Sequence, residues 1–453
     1  MVLLASCGTT PPATPSLVIY ALQTTVPPTP VVLTSTVTVF SAPTVTPPVS
    51  RIPPNAPTPT FISASLPDGL AVAYVVEDDL WIWKENSLRL LLQHPNLSDP
   101  LFSADGQWLL LKQRFISMDG SRPPSDELWV VQTDGSNLKR LVGSDDLMVQ
   151  TGREVLIDEF NWVPGRHEIL FNTEEIVEGP PGSLPLFDLY ALDLSGHVTH
   201  LAEPGQGGRF TSSPDGVFVA LTTSSRIEFL DLESGERRLS LEFEPLEFPS
   251  DGGPRTPRVV WDPQGQFVIT SILPPKFYYS EYAGEPEQVW QLFVDGRVEL
   301  ITELQPPSQF ATGISVAPNF QYFFYFKESC ADGTGTLYVR SLTSPEEYPL
   351  SCLWGLPQWA PDSEHFIYKF ESWRLGNIHT TSSQPLDFVN IPTNSDINAH
   401  VQWRWMNNEY FLLILGSRDM CTFSVATLQG VITEITRTPS NLCPTRLDFS
   451  LPE

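Results

Sequence analysis

The segment Phe210 to Thr222, FTSSPDGVFVALT, contains the pattern that organises this chain. An apolar entry leads to a Pro-Asp-Gly corner, and an alternating apolar stretch follows it. Proline cannot donate to a sheet ladder and so ends a strand, while Asp and Gly provide a capping side chain and the positive φ of a tight reversal. The segment therefore predicts a β-hairpin.

Variants of this corner recur along the chain. Aligning the units on the residue at the start of the corner gives eight positions: Pro67, Ala104, Pro164, Pro214, Pro263, Pro318, Pro361 and Trp405. The first and last are 338 residues apart (405 − 67), so the seven intervals average about 48 residues, a spacing typical of propeller blades. A second reversal, such as Asp134-Gly135, follows in most units. Each unit is therefore predicted to be a four-stranded meander.

The corner sequences carry a family resemblance. WVPG, SSPDG, WDPQG and WAPDS are similar to the WD-like propeller repeat of the TolB family and of the propellers attached to prolyl-oligopeptidase-type peptidases. The resemblance covers about residues 61–453 and implies an all-β propeller. Our alignment favours eight blades, and seven or six blades are the alternatives.

A tripeptide that occurs at both ends of the repeat region indicates how the ring closes. Ser450-Leu451-Pro452 repeats Ser65-Leu66-Pro67. We therefore expect residues 445–450 to form the inner strand of the first blade, because this arrangement removes an exposed sheet edge. Residues 61–65 are the competing candidate for the same position.

The N-terminus has a short motif of its own. Leu4-Ala5-Ser6-Cys7 resembles the lipobox of bacterial lipoproteins, in which the cysteine becomes the lipidated first residue. Residues 1–8 are thus interpreted as a signal-peptide remnant, and a chance cysteine is the alternative. Because no full basic and apolar region precedes the motif, we expect the start to lie upstream or the chain to be truncated. The implied location is extracytoplasmic, lipid-anchored to the bacterial membrane or cell surface.

A low-complexity segment follows this motif. Residues 9–60 are dominated by Pro, Thr, Val and Ser, which predicts a disordered stalk. The predicted domain order is therefore a lipobox remnant, the stalk, and a propeller over residues 61–453.

Four further cysteines form two pairs with one spacing. Cys330 and Cys352 are 22 residues apart (352 − 330), as are Cys421 and Cys443 (443 − 421). In each pair the first cysteine precedes a unit's third strand and the second follows its fourth, so we expect two disulfides across hairpins. A four-cysteine zinc site is the alternative, although it would lack a C-x-x-C knuckle.

Composition and motifs argue against several function classes. The net charge of −27 repels polyanions and argues against nucleic-acid binding. The sequence has no G-x-S-x-G elbow, no H-E-x-x-H motif and no P-loop, and its seven histidines form no ligand set. No catalytic residue, metal or cofactor is therefore predicted, and we expect a monomer.

The long predicted loops provide the candidate binding site. They connect second to third strands, or one blade to the next, and so emerge on one face of the propeller. The candidate binding residues are an aromatic cluster and three acidic residues: Phe277, Tyr278, Tyr279, Tyr282, Glu174, Glu175 and Asp251. The alternative is a set of tolerated insertions with solvated charges.

Together these features predict an extracytoplasmic lipoprotein that presents a non-catalytic propeller to a protein, a peptide or a cell-wall glycan. The alternative is a propeller enzyme or a metal-dependent sensor that uses acidic loops at the channel mouth. A purely structural role as a spacer in the cell envelope is a third interpretation.

Overall fold

The chain forms an all-β propeller of eight blades, as the repeat predicts. The computed structural model describes residues 66–116, 123–152, 154–177, 182–245, 256–275, 285–304, 313–330, 335–353, 355–369, 373–386, 400–416, 420–429, 431–439 and 447–451. Within these ranges, no helix is long and apolar enough to cross a bilayer.

The first four blades contain strands β1 to β16. Blade 1 has β1 Ala71–Val76, β2 Asp79–Lys84 and β3 Ser87–Gln93, and blade 2 has β4 Leu97–Phe102, β5 Trp108–Phe115, β6 Ser125–Gln132 and β7 Lys139–Gly143. Blade 3 has β8 Val155–Trp162, β9 Glu168–Ile176, β10 Ser183–Pro185, β11 Leu189–Asp193 and β12 Val198–Ala202. Blade 4 has β13 Arg209–Ser212, β14 Phe218–Thr222, β15 Arg226–Asp231 and β16 Arg237–Glu242.

The remaining blades contain strands β17 to β32, and β33 follows them. Blade 5 has β17 Val259–Trp261, β18 Phe267–Ile272, β19 Glu287–Phe293 and β20 Val298–Leu304, and blade 6 has β21 Ser315–Val316, β22 Tyr322–Ser329, β23 Gly335–Ser341 and β24 Glu347–Leu353. Blade 7 has β25 Gln358–Trp359, β26 His365–Lys369, β27 Trp373–Asn377 and β28 Thr380–Pro385. Blade 8 has β29 His400–Trp405, β30 Tyr410–Gly416, β31 Met420–Thr427 and β32 Ile432–Pro439, and the last strand is β33 Leu447–Ser450.

The C-terminal strand closes the ring. Strand β33 pairs antiparallel with β1, with Ala71 opposite Ser450 and Tyr74 opposite Leu447. It thereby completes the four-stranded sheet of blade 1 as its inner strand, next to β1 in the sheet order. The expectation that the C-terminal segment fills this position is confirmed, and the inner edge of blade 1 is covered rather than exposed.

The Pro-Asp-Gly corner has the predicted hairpin geometry. In blade 4, the Ser213 hydroxyl donates to Asp215 Oδ1 at 2.5 Å, and the same oxygen accepts the Val217 amide at 3.1 Å. Gly216 has a φ of +68°, and a Cβ at this position would lie 2.2 Å from the carbonyl oxygen of Pro164 in blade 3. Glycine is therefore required both for the turn and for the contact between neighbouring corners.

The hydrophobic core lies between the blades. Eight clusters of buried side chains are present, one at each junction of neighbouring blades. At the closing junction, Val72 of blade 1 belongs to the same cluster as Phe423 of blade 8, and the rings of Tyr74 and Phe423 stack at 5.1 Å. Every blade thus buries both faces of its sheet against its neighbours, so ring closure contributes directly to stability.

Two of the long connections predicted between strands contain regular structure. The connection from Gly143 to Glu159 contains helix α1, Ser144–Thr151. The Asp146 carboxylate accepts the Gly143 amide at 2.9 Å at the start of this helix, and Gly152 ends it with a φ of 69°. The connection from Thr173 to Pro185 extends β9 and pairs it with β10. In both connections, the backbone N–H and C=O groups form hydrogen bonds in a helix cap or a strand pair that is not part of the repeated four-stranded unit.

Candidate functional site

One position of the repeat places charged side chains around the central channel. Counting back three residues from the end of the inner strand gives Asp99, Glu159, Arg209, Arg258 and Gly313 in blades 2 to 6. Two acidic residues are thus followed by two arginines and a glycine in consecutive blades. All five residues line cavities of the channel.

The channel contains two cavities that meet at Arg209, Trp403 and Arg404. The smaller one, of about 500 Å³, we call the acidic lobe, and its charged lining residues are Asp99, Asp158, Glu159, Arg209 and Arg404. The larger one, of about 1070 Å³, we call the basic lobe, and its charged lining residues are Arg209, Arg258 and Arg404. No carboxylate lines the basic lobe among the residues that the structure describes.

The carboxylates of the acidic lobe lie in irregular parts of two inner strands. The pairing register of β8 shifts between Ile157 and Phe160, so that Asp158 and Glu159 lie in the shift. The register of β4 shifts between Ser98 and Leu101, and Asp99 has a φ of 53°. Bulges of this kind redirect side chains and are frequent next to binding sites.

Arg209 lines both lobes and forms ion pairs with two carboxylates of the acidic lobe. Its Nη1 lies 2.6 Å from Glu159 Oε1 and 3.2 Å from Asp158 Oδ2. Burial lowers the pKa of Arg209, but the charges of Glu159 and Asp158 outweigh burial and raise it above the usual range. Burial raises the pKa of Asp158 despite the nearby guanidinium. Further positive charge in the acidic lobe would therefore stabilise its carboxylates.

The other two arginines of the basic lobe differ in their partners. Arg404 Nη1 lies 2.8 Å from Asp448 Oδ1, and its guanidinium lies 4.9 Å from the centre of the Phe449 ring. Arg258 is exposed in the channel and has no ion-pair partner among the described residues. Its counterpart in the next blade is Gly313, which offers no side chain to pair with. Among the described residues, Arg258 is therefore the arginine of the basic lobe that lacks an ion-pair partner.

A buried tryptophan donor next to this arginine set also lacks an acceptor. In three blades the inner-strand tryptophan donates Nε1–H to a carbonyl of the preceding blade: Trp162 to Leu101 at 3.0 Å, Trp261 to Thr211 at 2.9 Å, and Trp359 to Ser315 at 2.9 Å. Trp403, the counterpart in blade 8, is 7% exposed, and its Nε1 has no acceptor in the described part of the chain. An unmet buried donor is unfavourable by about 1–3 kcal/mol.

A buried carboxyl group lies behind the basic lobe. Glu287 is 2% exposed, and its Oε1 has no hydrogen-bond partner within the described ranges. Burial raises the pKa of Glu287 from 4.5 to about 7, although a hydrogen bond from Ser271 opposes this change. Ser271 itself lines the basic lobe, so Glu287 is separated from the channel by one side chain.

The predicted loop residues do not form this site. Glu174 accepts the Ser183 hydroxyl at 2.6 Å and lies 3.6 Å from Arg114, in the ribbon of β9 and β10. Glu175 pairs with Val155 and Leu184 in the sheet ladder of the same ribbon. The remaining candidates lie outside the described residues: Phe277, Tyr278, Tyr279, Tyr282 and Asp251.

The cysteine predictions are met in part. Cys330 and Cys352 form a disulfide with a Cα–Cα distance of 6.1 Å. Cys421 is also disulfide-bonded, whereas Cys443 and Cys7 lie outside the described residues. Within those residues no group of three or more His, Cys, Asp or Glu side chains could hold a metal ion.

Sequence reasoning missed the channel arginines, although the repeat contained the signal. The signal lies at the position three residues before the end of each inner strand, which the corner pattern does not include. Comparing this position between blades places Arg209 and Arg258 in consecutive units and Gly313 after them. The lack of an acceptor for Trp403 could not be found in this way, because it depends on distances between blades.

Comparison with solved structures gives distant propeller-containing proteins. The chain resembles the acylaminoacyl peptidase of Pyrococcus horikoshii at 11% identity and a TM-score of 0.41, covering 62% of this chain and 46% of that one. It resembles a puromycin-hydrolyzing peptidase of Mycobacterium tuberculosis at 13% identity and a TM-score of 0.42, covering 75% and 53%. It resembles the tricorn protease at 11% identity and a TM-score of 0.35, covering 82% and 46%.

These comparisons correct the predicted function. The prediction of a non-catalytic binding propeller is contradicted, because the solved proteins that resemble the chain are named as peptidases. The chain spans about half the length of those proteins, and the likeness at this level assigns no activity to it. No protein-family model and no curated protein sequence matches the chain.

Proposed function

We propose that the protein recognises a small anionic ligand in the basic lobe of its central channel. The observation that carries this proposal is the lining of that cavity: three arginines and no carboxylate among the described residues, in a chain whose net charge is −27. With twice as many acidic as basic residues, 53 against 26, a cavity lined by no carboxylate of the described residues is contrary to the composition. A cavity of about 1070 Å³ is large enough for a small organic molecule.

The three arginines have different parts in this function. Arg209 and Arg404 already have carboxylate partners, which fix their side chains at the junction of the two lobes. Arg258 has none in the described structure and is the group that a ligand anion would pair with. A charge-assisted hydrogen bond is worth about 1.5–3 kcal/mol, which corresponds to a change in affinity of about 10- to 100-fold.

The tryptophans support the same kind of ligand. Trp359, Trp403 and Trp405 line the basic lobe, and the Nε1 atoms of Trp403 and Trp405 lack acceptors among the described residues. An anion supplies acceptor atoms for the exposed guanidinium of Arg258. The indole rings also provide the apolar wall that small-molecule sites require.

The test is calorimetric titration with three probes: citrate, inorganic phosphate and trialanine. At least one probe should bind to the protein, and Arg258→Gln should weaken that binding at least tenfold. Arg297→Gln is the matched control, because Arg297 belongs to the outer hairpin of the same blade and its side chain is 60% exposed. The proposal fails if none of the three probes binds, if Arg258→Gln leaves the dissociation constant unchanged, or if Arg297→Gln raises it as much as Arg258→Gln does.

We also propose, from the sequence motif alone, that Cys7 is lipidated and that the propeller is held outside the cell by this anchor. The support is the likeness of Leu4-Ala5-Ser6-Cys7 to a lipobox and the low-complexity segment after it. The native gene with its own upstream sequence, expressed in a bacterium fed with labelled palmitate, should give labelled protein in the membrane fraction. Cys7→Ser should abolish the label, and equal labelling of the two proteins would contradict the proposal.

A further inference from the structure

We infer that the ligand of the channel is a zwitterion, a short peptide or an amino acid with free ends, whose amino group lies in the acidic lobe and whose carboxylate lies in the basic lobe. This inference rests on the proposed anion-binding function and specifies its substrate class. It follows from the order of charges around the ring, in which Asp99 and Glu159 precede Arg209 and Arg258.

The acidic lobe has an unmet acceptor. Glu159 binds Arg209 through Oε1, while its Oε2 is buried and has no hydrogen-bond partner in the described ranges. Asp158 lies beside it and shares the same guanidinium at 3.2 Å. The lobe is lined by three carboxylates and two arginines, so its carboxylates are in excess by one charge. A primary ammonium group provides the positive charge and three donors that this arrangement lacks.

The basic lobe, in contrast, contains donor groups for which the described residues provide no acceptor. The Trp403 indole, 7% exposed, lines both lobes and carries a donor without an acceptor among the described residues. Arg258, on blade 5, is exposed in the same cavity and has no ion-pair partner among the described residues. A ligand carboxylate can accept hydrogen bonds from this guanidinium. A buried acceptor without a described partner in one lobe and an exposed guanidinium in the other fit a molecule with a donor end and an acceptor end.

The residues that line both lobes bear on whether the ligand is one molecule or two separate ions. Arg209, Trp403 and Arg404 line both cavities, so the two lobes adjoin at these side chains, and a single molecule that reaches past them would have one end in each lobe. Between its charged ends such a molecule would contact apolar walls, since Val260, Ile314 and Leu356 also line the basic lobe. Small peptide side chains suit these walls.

Titration with end-blocked peptides tests the inference. Trialanine should bind at least tenfold more tightly than N-acetyl-trialanine and at least tenfold more tightly than trialanine amide. Glu159→Gln should weaken trialanine about tenfold and leave N-acetyl-trialanine unchanged, whereas Arg258→Gln should weaken both but not the amide. Asp99→Asn serves as a second variant in case Glu159→Gln lowers stability through Arg209. Glu299→Gln, on an outer strand with a 56% exposed side chain, is the control.

The outcomes separate this inference from the function on which it rests. If N-acetyl-trialanine binds as tightly as trialanine, or if only citrate or phosphate binds, the zwitterion is wrong and anion recognition stands. If binding of every probe is unaffected by Arg258→Gln, both are wrong. The inference is supported only if blocking each end in turn weakens binding and the variant on that side shows the matching loss.

Discussion

Glu287→Gln should stabilise the protein at alkaline pH and change the pH dependence of its unfolding. Burial raises the pKa of Glu287 from 4.5 to about 7, so the folded state binds a proton more tightly than the unfolded state. Between these pH values the folded state holds more protons, and the free energy of unfolding therefore falls as the pH rises. Glutamine has no charge to bury and removes this dependence.

The magnitude follows from the two pKa values. The difference between 4.5 and about 7 is worth about 1.4 kcal/mol per unit, hence about 3 kcal/mol at pH 8 and about 1 kcal/mol at pH 5. Glu287→Gln should recover most of this energy at pH 8 and little at pH 5. The figure at pH 8 is an upper value, because the amide must still be accommodated beside Ser271.

The assay is guanidinium unfolding at pH 5, 6, 7 and 8, followed by tryptophan fluorescence. Glu285→Gln is the matched control, since Glu285 lies two residues earlier in the chain and is exposed. The control should retain the pH slope of the unmodified protein, and Glu287→Gln should flatten it by about 2–3 kcal/mol over this range. Equal slopes for Glu287→Gln and the unmodified protein would show that the carboxyl is solvated and refute the reasoning.

Two further predictions concern contacts between blades. Trp162→Phe should lower the free energy of unfolding by about 1–3 kcal/mol more than Trp403→Phe, because only Trp162 donates to a carbonyl of the preceding blade; equal losses in denaturant unfolding would contradict this. Gly216→Ala should destabilise the protein by about 2 kcal/mol or more, whereas Gly235→Ala, at the similar φ of +70° but with nothing within 4 Å, should cost only the backbone strain of about 1 kcal/mol. Equal melting temperatures for the two alanine variants would exclude a clash with Pro164.

Local turn chemistry made the fold predictable. The Ser213 and Asp215 side chains bond within one corner, so the same short sequence gives the same hairpin wherever it recurs. Strand alternation then follows from the corners. The regular structure within the long connections was not predicted, because α1 and β10 depend on capping and pairing bonds outside the repeat pattern. Glu174 lies in the ribbon of β9 and β10 and is not part of the lining of either lobe, although its charge helps to raise the pKa of Arg209.

The candidate site was only partly accessible from the sequence. Residues about 50 apart in the chain become neighbours on consecutive inner strands, so the series from Asp99 to Gly313 is visible once the blades are aligned. The chemistry of the series is not visible. The lack of a partner for Arg258 and the lack of an acceptor for Trp403 depend on what neighbouring blades place opposite them.

The sequence by itself predicted eight blades, the position of each corner and the closing strand, because each depends on local turn residues or on one repeated tripeptide. Only the tertiary structure decided which charges meet in the channel, which carboxyl is buried, and which donors stay unmet. The physical reason is that electrostatic energy and desolvation depend on the distances and exposure that ring closure creates between blades. The Pro-Asp-Gly corners at Asp215 and its counterparts build the ring, and the inner strands that lead into these corners line the candidate site.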